Sequence, residues 1–266
     1  MLIDIGVNLS NPRFAKDIEN VLERAREAGV EKLILTGTSI EESRAVVAIC
    51  EQYARQFPGM LYATAGIHPH DAGTYNLESA AALAELAALP SVVAIGETGL
   101  DFNRNFSSPT DQQKSFEAHI ELAIELQMPL FLHERDASHR QIEILKSYND
   151  DISDGVIHCF SSDKKTLFDY LDMDLHIGIT GWICDERRGL ELQKIAANIP
   201  LNRLMIETDA PYLTPRNMSK KPKNGRNEPA FLGSVLAGVA AVRSESEDDI
   251  AAATTAPAIK FFRLPD

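Results

Sequence analysis

At 266 residues with 44% hydrophobic side chains, the chain is long enough to bury a substantial core, which argues against intrinsic disorder. No apolar run reaches the ~18 residues of a membrane span, and the first residues read as a strand without a basic leader or small-residue cleavage site, so a cytoplasmic protein is expected. A formal charge of −13 argues against a non-specific nucleic-acid binder, but not against an enzyme that meets phosphate through bound cations and a few local arginines.

Strand-like and helix-like runs alternate along the chain. The apolar, β-rich run over 2–7 predicts the first strand, and the periodicity over 14–28, closed by Gly29, predicts a helix. A strand over 32–36 precedes a helix over 40–56, and a strand over 61–67 precedes a helix over 77–89. The fourth strand is 92–95, followed by a long helix over 109–126 with Pro109 suited to its first turn. Strands over 130–133, 155–160, 175–179 and 203–207 follow, the first three each leading into a helix, over 138–148, 164–171 and 188–197 in turn. Two helices, over 229–242 and 247–262, complete the chain. Eight β-then-α units, with no linker-like segment between them, predict one (β/α)₈ TIM-barrel domain over 1–266. A doubly wound open sheet is the alternative, but the first βα turn has no Gly-x-Gly-x-x-Gly fingerprint, and polar candidates sit at the ends of many strands.

Those strand ends carry the chemistry. Ser91-Val-Val-Ala-Ile-Gly-Glu97 is an apolar run that stops at a carboxylate, and the pattern recurs at His133, His158 and Asp209. In a barrel all four would meet at the C-terminal rim, where two imidazoles and two carboxylates suit a divalent cation. Just past the third strand, Gly66-Ile-His-Pro-His70 supplies His68 and His70, read as substrate contacts ahead of metal ligands. Arg104 and Arg135 follow the fourth and fifth strands, where a guanidinium can grip phosphate bidentately or pair with Asp101, Glu134 or Asp136. Trp182 offers a face for base stacking. His119, His139 and His176 are read as structural, and Cys50, Cys159 and Cys184, which form no Cys-x-x-Cys pair, as reduced packing residues. Residues 209–228 form a long, basic connection in which Arg216, Lys220, Lys221, Lys223 and Arg226 are solvated individually, or meet phosphate as a group.

Asp4-Ile-Gly-Val-Asn8, Thr36-Gly-Thr38, Gly66-Ile-His-Pro-His70, Gly96-Glu-Thr-Gly-Leu-Asp-Phe102, His133-Glu-Arg-Asp136, His158-Cys-Phe160, Gly181-Trp182, Glu207-Thr-Asp-Ala-Pro-Tyr-Leu213 and Arg226-Asn-Glu-Pro229 together resemble the TatD family of metal-dependent deoxyribonucleases. The resemblance covers nearly the whole chain in order. It implies a TIM barrel, Mg²⁺-dependent phosphodiester hydrolysis, 3′-to-5′ exonuclease action on single-stranded DNA or RNA, and a cytoplasmic protein linked to DNA repair. It also implies that Glu97, His133 and His158 hold the metal, and that Asp209 meets both metal and attacking water. One departure stands out: many relatives in the wider superfamily carry His-x-His at the end of strand one, where this chain has Gly6 and Asn8, as the resembled branch does. One Mg²⁺ is therefore expected to be firmly held and a second weakly or with substrate, with Mn²⁺ a substitute. Two other functions share these residues: hydrolysis of esters or amides, as in a D-aminoacyl-tRNA deacylase, and a non-catalytic barrel that binds nucleic acid or protein. With no exposed apolar stripe in the pattern, a monomer is expected.

Overall fold

The computed structural model describes residues 1–265. Its strands are β1 (Leu2–Val7), β2 (Val30–Leu35), β3 (Leu61–Ala65), β4 (Val92–Asp101), β5 (Leu130–Arg135), β6 (Gly155–Ile157), β7 (His176–Ile179) and β8 (Leu204–Ile206). They pair in chain order and all in parallel. Between the last and the first, Val7 and Ala210 form a parallel bridge, the Asp209 N–H donates to the Gly6 carbonyl at 2.9 Å, and the Asn8 N–H donates to the Ala210 carbonyl at 2.8 Å. These contacts bring the ends of the sheet together as the (β/α)₈ barrel that the alternation predicted.

The helices are α1 (Ile18–Glu27), α2 (Ile40–Tyr53), α3 (Leu77–Ala87), α4 (Pro109–Leu126), α5 (Ser138–Ser147), α6 (Lys164–Leu171), α7 (Leu190–Ile195), α8 (Leu232–Ala240) and α9 (Glu247–Phe261). Several starts are set by side chains that satisfy the free N–H groups of the first turn: Ser39 for α2, Asn76 with Ser79 for α3, Ser108 for α4 and Ser246 for α9. Alternate strand residues divide the interior in two. Leu33, Leu35, Leu130 and Leu132 pack outward into the strand–helix core, whereas Ile3, Ile5, Ile34, Phe131 and Met205 form a separate cluster with Phe261 and Phe262 of α9. The Thr255 hydroxyl of α9 donates to the Met1 carbonyl, so this helix lies at the N-terminal end of the strands. The opposite end is left open for chemistry.

Among the boundaries that differ from the sequence expectation, two bear on the site and the loop beside it. The helix predicted from residue 14 begins at Ile18, because residues 11–17 close as successive i→i+3 turns, with the Phe14 N–H donating to the Asn11 carbonyl and the Asp17 N–H to the Phe14 carbonyl. The fourth strand, predicted over 92–95, continues through Glu97 to Asp101. Its pairing with β5 shifts register between Ile95 and Thr98, and Gly96 (φ +145°) and Gly99 (φ +138°) adopt backbone angles that L side chains rarely enter. A Cβ on Gly96 would strike the Phe131 carbonyl, and one on Gly99 the His133 carbonyl.

The long connection after β8 is anchored by one buried cation. Arg226 donates to both Asp17 carboxylate oxygens at 2.7 Å, to Glu228 at 2.6 Å and to the Arg13 carbonyl at 2.7 Å, with its guanidinium 4.9 Å from the centre of the Phe14 ring. Arg216 is likewise occupied by Glu186. The expectation that these two arginines join the lysines to meet phosphate is therefore corrected: both are spent on neighbouring carboxylates, while Lys220, Lys221 and Lys223 are exposed. Replacing Arg226 with Met should lower the unfolding free energy by roughly 3 kcal/mol, the low end for breaking a buried pair because Asp17 keeps some water contact. Hydrogen bonds from Arg226 hold the Asp17 carboxyl below its ordinary range. Its contribution is thus full above the unfolded value of about 3.9 and fades as pH falls through the lower folded value. Urea titrations should show the gap between wild type and Arg226→Met narrowing in acid; an unchanged gap would contradict the assignment.

Candidate metal centre

The C-terminal ends of the strands enclose a cleft of about 860 Å³. At its floor lies the Glu97 carboxylate, 5% exposed, on the bulged middle of β4. Three imidazoles surround its Oε1: His133 Nδ1 at 2.8 Å, His158 Nε2 at 3.1 Å and His68 Nε2 at 3.4 Å. They arrive from β5, from just past β6 and from just past β3, so only a rolled sheet brings them together. Donor atoms of His68, Glu97 and His133 all lie within 4.8 Å of one another.

Two of these imidazoles, His158 and His68, are oriented by a hydrogen bond at their second nitrogen. Glu207, fully buried, holds His158 Nδ1 at 3.0 Å with Oε2, while Oε1 accepts the Cys159 N–H. Asp101 Oδ2 binds His70 Nε2 at 2.8 Å and lies 3.5 Å from His133 Nε2, too far for a hydrogen bond. His133 Nε2 is therefore buried without a partner. His68 Nδ1 accepts the His70 N–H at 3.0 Å. Asp209 lies on the same cleft and accepts from the Asn8 amide at 2.8 Å.

Burial works against charge throughout this floor, and the neighbours decide the outcome. Burial alone would raise the Glu97 carboxyl, but His158 and His68, with hydrogen bonds from His133 and His158, hold it well below the usual carboxylate range. Burial would lower His158 as well, yet the Glu207 and Glu97 carboxylates push it well above an ordinary imidazole. His133 rises for the same reason, through Asp101 and Glu97 against the desolvation penalty. For His68 burial prevails and its value falls. Burial pushes the Asp209 carboxyl up to about 7, His158 and Asn8 opposing and Glu207 and Glu97 adding to the rise. The result is a carboxylate–imidazole cluster held together by protons, and such donors suit a divalent cation as well.

The sequence-predicted residues fall into two groups. Glu97, His133, His158, Asp209, His68 and His70 all line the cleft, with His68 in contact with the Glu97 carboxylate. Arg104, Arg135 and Trp182 lie higher on its wall. The carboxylates that might have paired with these arginines are occupied elsewhere: Asp101 by His70, Glu134 by Ser162 and the Ala137 N–H, Asp136 by Asn103. Arg104 and Arg135 form no ion pair among the described residues. His119 is a core residue that accepts the Ile67 N–H, His139 is exposed beside Glu143, and His176 bonds Asp154, as their structural reading expects. Sequence reasoning missed the orienting roles of Asp101 and Glu207. For Asp101 the signal was its even spacing from Glu97, which keeps both on one side of β4; Glu207 and Asp209 lie past the end of β8, with Asp209 at φ +53°, and spacing carried no such signal for them.

Gly6 shows what became of the absent imidazole. A Cβ there would collide with Glu207 Oε2, so the carboxylate that orients His158 fills the space a side chain on Gly6 would need.

Comparison with known proteins follows this geometry. The family described as TatD related DNase matches residues 3–263. The chain is 49% identical over 263 residues to the protein named 3′-5′ ssDNA/RNA exonuclease TatD of Rahnella sp., covering 99% of this chain and 98% of that protein. It is 48% identical, with the same coverage, to the protein of that name in Citrobacter rodentium. Among solved structures, the TatD homologue YjjV of Escherichia coli superposes with a TM-score of 0.88 at 30% identity, covering 99% of this chain and 98% of that one. The TatD family hydrolase of Entamoeba histolytica superposes at 0.89 with 25% identity, covering 98% and 97%.

Isothermal titration with Mn²⁺ checks the cluster directly. Glu97→Gln should weaken binding by more than about 100-fold, whereas Glu207→Gln, which removes only the brace on His158, should cost about 10–100-fold. Because His133 and His158 must shed protons to bind a cation, affinity should fall from about pH 8 to about pH 6. A pH-independent affinity would contradict the ligand set.

Proposed function

The chain belongs to the TatD related DNase family, and on that premise we propose that it is a metal-dependent 3′-to-5′ exonuclease of single-stranded DNA and RNA. The observation that carries the reading is the convergence of three imidazoles on the Glu97 carboxylate, in a cleft also lined by Arg104 and Arg135, which pair with no carboxylate among the described residues. The protein works as a cytoplasmic monomer of one domain, 1–266, with a role in DNA repair. Among the described residues no helix is long and apolar enough to cross a membrane.

The donor set fits a cation: a buried carboxylate, the His158 imidazole braced from behind by Glu207, and a His133 Nε2 that has no hydrogen-bond partner among the described residues leave groups that protons or a metal would satisfy. Glu97, His133 and His158 would hold it firmly, with Asp209 and His68 on either flank. Mg²⁺ is the preferred ion and Mn²⁺ its substitute. With Gly6 and Asn8 in place of imidazoles, a second ion would bind weakly or with the substrate phosphate. When bound, such a cation polarises a phosphoryl oxygen and lowers the pKa of coordinated water.

The chain's own residues supply the rest. Asp209, whose carboxyl burial pushes up toward the range of a general base and which lines the cleft beside Glu97, takes the proton from the water that attacks phosphorus. His68 and His70 lie beside the scissile group, and Arg104 and Arg135 reach its phosphate oxygens from the wall, offsetting charge that develops in the transition state. Trp182 offers a stacking face to a base.

The test is a time course of chelator-treated protein on 5′-labelled single-stranded DNA, with Mg²⁺, Mn²⁺ or Zn²⁺ restored. A ladder shortening one nucleotide at a time, strongest with Mg²⁺ and absent in Asp209→Ala, is the expected outcome. An intact oligonucleotide under every metal would refute the reading, and loss of only the aminoacyl group from charged tRNA would replace it with a deacylase. Arg104→Ala and Arg135→Ala should each lower kcat/KM about tenfold and shrink its log–log salt slope by about 0.7, the value for one lost single-strand phosphate contact.

A further inference from the structure

A second cavity, of about 440 Å³, opens from the catalytic cleft, and Trp182, Arg188, Tyr212 and Leu213 belong to the walls of both. At its rim stands Tyr212, 50% exposed and thus among the most exposed large aromatics of the chain. Its ring is not free to collapse onto the surface. The hydroxyl accepts from the Asn11 amide at 3.0 Å, its N–H donates to the Asp209 carbonyl at 2.9 Å, and its own carbonyl accepts from the buried Asn227 amide at 2.7 Å. The Asp209 that fixes this backbone also lines the catalytic cleft, so the ring is tied through one residue to the site.

Arg13 lines the far side of the second cavity. Its guanidinium donates to the carbonyls of Pro211 at 3.0 Å and Asn224 at 3.3 Å, and it pairs with no carboxylate among the described residues. Neutral acceptors fix the group while leaving its charge uncompensated, which is the state suited to a phosphate. Arg188 and Arg216, on the same walls, are instead paired with Asp185 and Glu186. The opposite rim of the catalytic cleft carries exposed carboxylates at Asp71 and Asp136, which repel a polyanion.

Size agrees with charge. The cavity of about 440 Å³ falls within the roughly 300–1,000 Å³ spanned by small-molecule sites, so it has room for a ligand group of its own beside the cleft of about 860 Å³.

We propose that the second cavity is a binding subsite for the nucleotide immediately upstream of the two that flank the scissile linkage, with Tyr212 stacking its base and Arg13 holding its phosphate. The inference rests on the exonuclease reading, because an enzyme that removes the last nucleotide keeps every additional one on the upstream side. The strand therefore leaves the active site over Tyr212, away from Asp71 and Asp136.

The test compares kcat/KM on 5′-labelled di-, tri- and hexanucleotides. In the wild type the trinucleotide should exceed the dinucleotide by about tenfold, as one stacked base contributes, with little further gain at six. Tyr212→Ala and Arg13→Ala should each bring the tri-to-dinucleotide ratio toward one. Tyr212→Phe, which keeps the ring, should retain most of it. Arg13→Ala should also lessen the salt dependence on the trinucleotide by about 0.7 in log–log slope, with no such change on the dinucleotide. Cleavage with an unaltered ratio in both alanine variants, or a wild-type ratio near one, overturns the subsite while the exonuclease reading stands. A wild type that cleaves no substrate overturns both.

Discussion

Everything at the mouth of this barrel depends on keeping one carboxylate ionised where water is scarce. Glu97 is almost wholly buried, and a lone charge there would take up a proton. It remains a carboxylate because three imidazoles surround it, and two of these, His158 beside Glu207 and His133 near Asp101, are pushed above the ordinary imidazole range by those carboxylates and by Glu97 itself, whereas burial lowers His68. No member of this network is stable in its charge state alone. A divalent cation replaces shared protons in such an arrangement without moving the frame, which is how a site can be rigid before it is filled.

Backbone geometry makes the network possible. If β4 ran in regular register from Val92 to Asp101, Glu97 would not meet imidazoles from three other strands; the shift after Ile95, with glycines at 96 and 99, turns it inward while Asp101 still reaches His70. A second economy appears at Gly6. Its lack of a side chain leaves room for Glu207, so that what the chain lacks in direct ligands at strand one it uses to orient His158. Asp4, fully buried and pushed up to about 8 by burial, accepts from the Thr208 N–H and hydroxyl and ties this layer to the segment carrying Asp209.

Charge on the acidic surface is divided by task. Arg226, Arg216 and Arg188 are consumed by neighbouring carboxylates and shape the loop walls. Arg104, Arg135 and Arg13 stand unpaired around the two connected cavities. A chain with a net charge of −13 can thus present cations to a polyanion over one groove without being basic overall. Sequence composition cannot separate these groups, since pairing depends on which carboxylates the fold brings within reach.

The order and type of the eight βα units were legible because apolar runs of strand length and amphipathic runs of helix length alternate so regularly. The residue types at strand ends were legible too: His133, His158, Glu97 and Asp209 interrupt runs that would otherwise be wholly apolar. What the sequence could not give was distance. It placed His68 near the site without its contact to Glu97, ended the fourth strand at Ile95 and let Arg226 join a group that meets phosphate, because proximity to Glu97, a glycine-dependent register shift and a pair with Asp17 are all long-range facts. Local periodicity by itself determined the barrel and its list of candidate ligands. Only the closed tertiary structure, which fixes neighbours across dozens of residues, decided which of them share a proton, which are braced from behind and which charges remain free.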